Sequence, residues 1–219
     1  MTYALMSSGG KDSTLALDRA RRMGLDVRYF ANIYEGASGR VRFHGVRREL
    51  IAAQADTLKL ECVQRRTGPE PFEPVFLHLL DDLRALGCAG MVFGNIHLED
   101  VRGWYEERVR AKGLEHVEPL WGDPAIELVH EVVERGYRAI VVGVDLALPA
   151  ADFLGRDLDA NLLTDIAIAD GLDAAGERGE YHTFVYDGPA FAYPLLIRPG
   201  RRVQQDGHRF LDLTLAPLS

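Results

Sequence analysis

Six consecutive residues near the start of the chain, Ser8-Gly9-Gly10-Lys11-Asp12-Ser13, carry a dense set of reactive groups. Gly9 and Gly10 let the backbone approach a ligand without a side-chain clash. Lys11 adds a positive charge, and Ser8 and Ser13 add hydroxyl donors. Asp12 would repel a bare phosphate, so it makes most sense as a holder of Mg²⁺. A second cluster lies far downstream, Gly176-Glu177-Arg178-Gly179-Glu180-Tyr181-His182. Glu177 and Glu180 could hold an ammonium ion or a cationic substrate, or act as general base on an attacking amine. A histidine ordinarily titrates near neutral pH, so His182 suits proton transfer. The plainer alternative is a charged surface turn.

The loop needs a strand before it and a helix after it. The apolar run Tyr3-Ala4-Leu5-Met6 supplies the strand, and a helical pattern over residues 14–23 follows. Backbone N–H groups at a helix N-terminus lack intrahelical partners and can hold phosphate. The pattern departs from the G-x-x-x-x-G-K-[ST] nucleotide loop, because Asp12 directly follows Lys11.

Further along, strands are expected at residues 27–34, 60–64, 90–94, 117–120 and 138–144. Helices are expected at 46–58, 75–86, 100–112, 125–135 and 159–170. Residues 67–74 read as a proline-rich turn. The run 138–144 is the most continuous apolar stretch and should be a central strand. Strands alternating with helices imply βαβ units, a parallel sheet and a ligand at the C-terminal strand edge. After Asp145 the alternation breaks. Turns are expected at Asp187-Gly188-Pro189 and Arg198-Pro199-Gly200, with β-like segments at 183–186 and 210–215. The expectation is a parallel α/β domain over 1–121 and a smaller α/β portion over 122–219.

Composition sets the outer limits. The 219 residues are 47% hydrophobic and 26% charged, as in ordinary globular proteins. A net charge of −8 argues against a general nucleic-acid binder. Cys62 and Cys88 stand far apart in apolar contexts and read as buried thiols in a reducing cytosol. No signal peptide and no membrane-spanning run is expected, so the expected location is cytoplasmic. Small α/β enzymes are often dimers, and a homodimer is a further expectation.

The Ser8–Ser13 loop resembles that of the PP-loop ATP pyrophosphatases, which cleave ATP between the α- and β-phosphates. Four further stretches resemble one branch, the diphthine–ammonia ligase family and its bacterial relatives. They are His44 with the helix bearing Gln54-Ala55; Phe93-Gly94-Asn95-Ile96 with Glu99-Asp100-Val101-Arg102; Glu118-Pro119-Leu120-Trp121; and residues 176–185, closed by Asp187-Gly188-Pro189-Ala190-Phe191. The resemblance implies a Rossmann-like (HUP-type) sheet with helices on both faces. It also implies ATP and Mg²⁺ as cofactors, with a substrate carboxylate adenylated and then attacked by ammonia or another amine. It assigns His44, Gly94 and Asn95 to the nucleotide site, although the family usually has aspartate where Asn95 stands. The diphthamide-making branch carries Glu-Tyr-Glu-Thr where this chain has Glu180-Tyr181-His182-Thr183; the bacterial branch carries His, as here. The acceptor is therefore expected to differ from diphthine. With no cysteine at position 2 and no glutaminase-like module, free ammonia is the expected nitrogen donor.

Other residue readings stay open. His44 could cap a helix without a ligand. Arg102 could face phosphate, a substrate carboxylate or solvent, and Asp145 could face the cleft or form a turn. Rival functions are a non-catalytic ATP-binding sensor, a tRNA-modifying enzyme with the same loop, and a simple ATP hydrolase. The tRNA enzymes usually bring paired cysteines, which Cys62 and Cys88 do not form.

Overall fold

The first half of the chain alternates strictly: β1 (Thr2–Met6), α1 (Lys11–Arg22), β2 (Asp26–Glu35), α2 (Arg48–Thr57), β3 (Glu61–Thr67), α3 (Phe72–Ala85), β4 (Cys88–Val92), α4 (Glu99–Ala111) and β5 (Glu115–Val117). The computed structural model describes residues 1–68 and 70–217. Pro69, inside the expected proline-rich turn, lies outside the described residues. The five strands form a parallel sheet in the order β3-β2-β1-β4-β5. Strand order reverses between β1 and β4, and the residues after β1 open into the crevice that such a reversal creates.

Two apolar clusters pack the faces of this sheet. On one, Leu15 and Leu17 of α1 and Leu50 and Ile51 of α2 meet Leu5 and Phe30. On the other, Phe76, Leu79 and Leu80 of α3 and Val109 of α4 meet Ala4, Ala31 and Met91. Helices thus cover both faces, giving the Rossmann-like arrangement.

The second half contains α5 (Ala125–Glu134), β6 (Arg138–Asp145), a 3-10 turn (Pro149–Phe153), α6 (Ala160–Ile168), β7 (Tyr181–Asp187), β8 (Ile197–Gln205) and β9 (His208–Leu215). Its four strands form a separate antiparallel sheet in the order β7-β6-β9-β8. Val141, Tyr181 and Phe184 of this half belong to the same apolar cluster as Leu15 and Ile51. The two sheets therefore share a core.

Most elements lie where the pattern puts them, with instructive exceptions. The run expected as a central strand is indeed interior, but in the second sheet and antiparallel to both neighbours. Burial on both faces makes a strand apolar throughout whichever way its partners run. α1 starts at Lys11 rather than residue 14, because its first turn carries polar residues that apolar spacing does not register. β5 ends at Val117 instead of 120, short of Pro119, which has no N–H for a ladder. The turn expected at Arg198-Pro199-Gly200 is an irregularity within β8, where the register shifts between Pro199 and Arg202. β8 is the open edge of its sheet, the position where Pro and a bulge are tolerated.

Candidate functional site

The segment between β1 and α1 is fixed from several directions. Asn32 Nδ2 of β2 donates to the Ser7 carbonyl at 2.8 Å, and the Ser7 and Ser13 hydroxyls share a hydrogen bond of 2.7 Å. The Gly9 N–H donates to Ser7 Oγ at 2.9 Å. Gln54, fully buried on α2, donates its Nε2 to the carbonyls of Gly9 (3.0 Å) and Val185 (2.6 Å). β7 completes the clamp: Val185 N–H donates to the Gly9 carbonyl at 2.9 Å, and Lys11 N–H donates to Thr183 Oγ1 at 3.0 Å. The N–H groups of Ser8, Gly10 and Ser13 take no hydrogen-bond partner among the described residues. They are the unpaired donors expected at a helix start.

Glycine is required at two places here. Gly9 has φ +87°, and a Cβ there would stand 2.8 Å from Ile51 Cδ1. A Cβ at Gly94, just past β4, would stand 2.7 Å from Ser13 N and 2.8 Å from the Asp12 carbonyl carbon. Two backbones pass each other there without side chains.

The loop opens into a cleft of about 730 Å³. Ser8, Gly10, Lys11, Asp12, Ser13, His44, Gly94, Asn95, Glu177 and His182 all line it. Lys11 is only 2% exposed. Its Nζ donates to Asp12 Oδ2 at 3.0 Å and to the Ala175 carbonyl, and lies 4.8 Å over the Tyr181 ring. Burial lowers the Lys11 pKa, but the neighbouring Asp12, Tyr181 and Glu177 outweigh it and the net shift is upward. Burial also raises the Asp12 carboxyl, against the pull of Lys11. Glu177 is pushed up to about 7 by burial and by the nearby charge of Asp12. The Ile96 N–H donates to Glu177 Oε2 at 3.3 Å.

Two imidazoles line the same cleft. The rings of His44 and His182 lie 4.3 Å apart, centre to centre. His44 Nε2 is hydrogen-bonded to Ser8 Oγ at 2.8 Å. Burial and the charge of Lys11 bring His44 down to about 4, and burial with His44, Lys11 and His208 holds His182 well below its ordinary value.

Glu180 and Gly9 do not line the cleft. Glu180 is 2% exposed; its Oε1 accepts from Asp173 N–H (3.1 Å) and its Oε2 from Arg178 N–H (3.0 Å). It thus ties together the loop that presents Glu177. Asn95 donates its Nδ2 to Glu118 Oε1 at 2.7 Å. Glu118 in turn lies 3.1 Å from Arg102 Nε, and Arg102 stacks 4.4 Å over Trp121. Arg102 serves this internal chain rather than the cleft. Asp145 accepts from Ala147 N–H at 2.8 Å in a local turn. Arg156 pairs with Asp165 at 2.7 Å, and Asp159 caps α6 by accepting from Leu162 N–H.

Among the described residues no group of three or more His, Cys, Asp or Glu side chains converges as a metal cage. Asp12 nonetheless fits Mg²⁺. This ion takes one or two carboxylates and fills its remaining positions with water and substrate phosphates. Burial raises the Asp12 carboxyl pKa, a cost that a cation would relieve.

Sequence reasoning gave no separate role to Thr183, Asn32, Gln54, Tyr181 or Glu118. The first three brace the loop, Tyr181 underlies Lys11 and Glu118 orients Asn95. A polar residue inside an apolar strand or helix, as at Asn32 and Gln54, was the available signal.

The chain matches the family model described as the diphthamide synthase N-terminal domain over residues 1–116. It matches that of the diphthamide synthase C-terminal domain over residues 124–215. Among curated proteins it is similar to a diphthine--ammonia ligase of Mus musculus, 26% identical over 133 residues. That match covers 59% of this chain and 50% of the mouse protein. A diphthine--ammonia ligase of Bos taurus is 24% identical over 235 residues, covering 96% of this chain and 88% of the bovine protein. The loop, the cleft around it and two domain models that between them cover nearly all of the sequence place this chain in the diphthamide synthase family.

Proposed function

We propose that this protein is an ATP-dependent, amide-forming ligase of the ATP pyrophosphatase type. In this reading a substrate carboxylate attacks the α-phosphorus of ATP and pyrophosphate leaves. Ammonia or an amine then attacks the acyl-adenylate and AMP leaves. The observation that carries this is the meeting, in one cleft, of unpaired loop N–H groups with Lys11, Asp12 and Glu177. Ser8, Gly10, Ser13 and Lys11 hold the phosphates of the leaving group by directed donors and charge. Asp12 would hold Mg²⁺, which would supply charge neutralisation for the phosphate oxygens. Glu177, pushed up to about 7, is matched to accepting a proton from the attacking amine near neutral pH. His182 in the cleft wall argues for an acceptor other than diphthine, small or carried on a protein. Glu180 is a positioning residue in this scheme, holding the loop that carries Glu177.

We place the functional division near Trp121, with the phosphate machinery in 1–121 and acceptor recognition in 122–219. The protein is read as a cytoplasmic enzyme, possessing two free thiols whose pKa values burial lifts to about 11. No helix among the described residues is long and apolar enough to cross a membrane.

The test is product identity from α-labelled ATP with Mg²⁺, ammonium and a panel of carboxylates. Label should appear in AMP and disappear in Lys11→Ala and Asp12→Ala. We expect each to lower turnover by about 10²-fold or more, the scale seen when one transition-state donor is removed. Label in ADP, or wild-type turnover in either variant, would overturn the reading.

A further inference from the structure

The His44–His182 pair has a geometry that neither residue explains alone. The two come from different halves of the chain, the segment before α2 and β7, and stack at 4.3 Å with their planes tilted by 35°. Both line the cleft. His44 Nε2 lies on Ser8 Oγ and only 3.7 Å from where a Cβ on Gly10 would stand. His44 therefore sits beside two residues whose N–H groups are unpaired. His44 Nδ1 is 3.4 Å from the Arg42 carbonyl. That arrangement suits a neutral ring with its proton on Nδ1 and a bare Nε2 accepting from Ser8. The His182 ring makes no hydrogen bond among the described residues, so its nitrogens are available to the cleft.

The surroundings explain why both rings are neutral without a ligand. Lys11 faces both from α1, and His208 faces His182 from β9, 4.0 Å from Asp145. The Arg42 guanidinium is turned over the Phe43 ring, 4.8 Å away. Among the described residues no carboxylate is bonded to either imidazole. An anion at the loop would change this balance, since a charge on either ring is then compensated directly.

We infer that His44 and His182 form a single anion clamp, which takes up one proton from solvent, shared between the rings, when a diphosphate settles on Ser8 and Gly10. The protonated His44 Nε2 would then donate to a phosphate oxygen, and Ser8 Oγ–H would turn to the same ligand. On release of the diphosphate the proton returns to solvent. The inference rests on the proposal that this loop is the phosphate site, and the experiment separates the two.

The experiment is imidazole ¹⁵N magnetic resonance of the full chain at pH 6.5, with and without inorganic pyrophosphate. Binding is followed in parallel by calorimetry. Ring shifts report protonation directly and do not depend on the ligand's own titration. The expected result is pyrophosphate binding, with about one equivalent of imidazolium appearing across His44 and His182. Pyrophosphate bound with both rings still neutral would overturn the clamp while leaving the loop as the phosphate site. No pyrophosphate binding at all would overturn the loop reading, and the clamp with it. As a second measure, His44→Gln should weaken pyrophosphate binding about tenfold relative to wild type at pH 6.5, the loss of one charge-assisted hydrogen bond. At pH 8.5 the difference should vanish. An equal loss at both pH values would overturn proton uptake.

Discussion

Glu177 is the residue whose environment makes the sharpest demand. Its carboxyl, ordinarily near 4.5, is lifted to about 7 by burial and by the charge of Asp12. A raised carboxyl binds its proton more tightly in the folded state. Its contribution to stability is therefore complete below the unfolded value and is lost as pH rises through about 7. Glu177→Gln should leave the ligand-free melting temperature unchanged at pH 4 and raise it at pH 8. The gain should correspond to about 1–3 kcal/mol. Thermal unfolding of both proteins across that range checks this, and equal melting at pH 8 would count against the assigned environment. The same substitution should remove the rise of turnover through pH 7, since the amide cannot accept a proton. At this scale the sequence was partly legible. Lys11, Asp12 and Glu177 declare themselves by type and by their glycine-rich neighbourhoods. Glu180 has the same type and spacing as Glu177, yet it points into its own loop. Spacing within a turn does not fix which carboxylate faces the cleft.

Elements are positioned by contacts that pattern reading only partly resolves. The β1-loop-α1 unit reads directly from an apolar run, glycines and a helical pattern. The close crossing of β4's end over the start of α1 needs Gly94, because Ser13 N and the Asp12 carbonyl carbon lie within 2.8 Å of any added Cβ. Both obstacles are backbone, so neither can rotate away. Gly94→Ala should cost about 1–3 kcal/mol, the usual penalty for overpacking, and should reduce turnover by displacing Asp12. Chemical denaturation alongside the product assay would show both effects, and an unchanged midpoint would contradict the crossing. The direction of β6 was not legible for a related reason. Its residues report that both faces are buried, but the order β7-β6-β9-β8 is set by partners distant in sequence. β8, mostly polar and exposed, carries almost no apolar signal, and its Pro199 and Gly200 read as a turn.

The molecule as a whole works through the junction of its two halves. Asp212 of β9 accepts from Arg40 Nη2 (2.7 Å) and from both Arg47 Nε (2.8 Å) and Nη2 (2.7 Å). These arginines flank His44, so the second sheet anchors the segment that carries a cleft wall of the first. The arginines also hold the Asp212 carboxyl down to about 2. Asp212→Ala should lower stability by about 1–3 kcal/mol and weaken ATP binding several-fold, because the His44 segment loses its anchor. Calorimetric titration with ATP tests this, and undiminished affinity would show that the anchor does not reach the site. The hydrogen bonds from Lys11 N–H to Thr183 and from Val185 N–H to Gly9 make the same connection at the loop itself. They have a consequence for synthesis on the ribosome. The loop is made before the strand that gives it its shape, which follows some 170 residues later. Domains tend to fold in order as they leave the ribosome. A nascent chain can build its parallel sheet early and still lack the finished loop. Nucleotide binding should arise late, once β7 has been made, so that truncated translation products would leave the cell's ATP untouched.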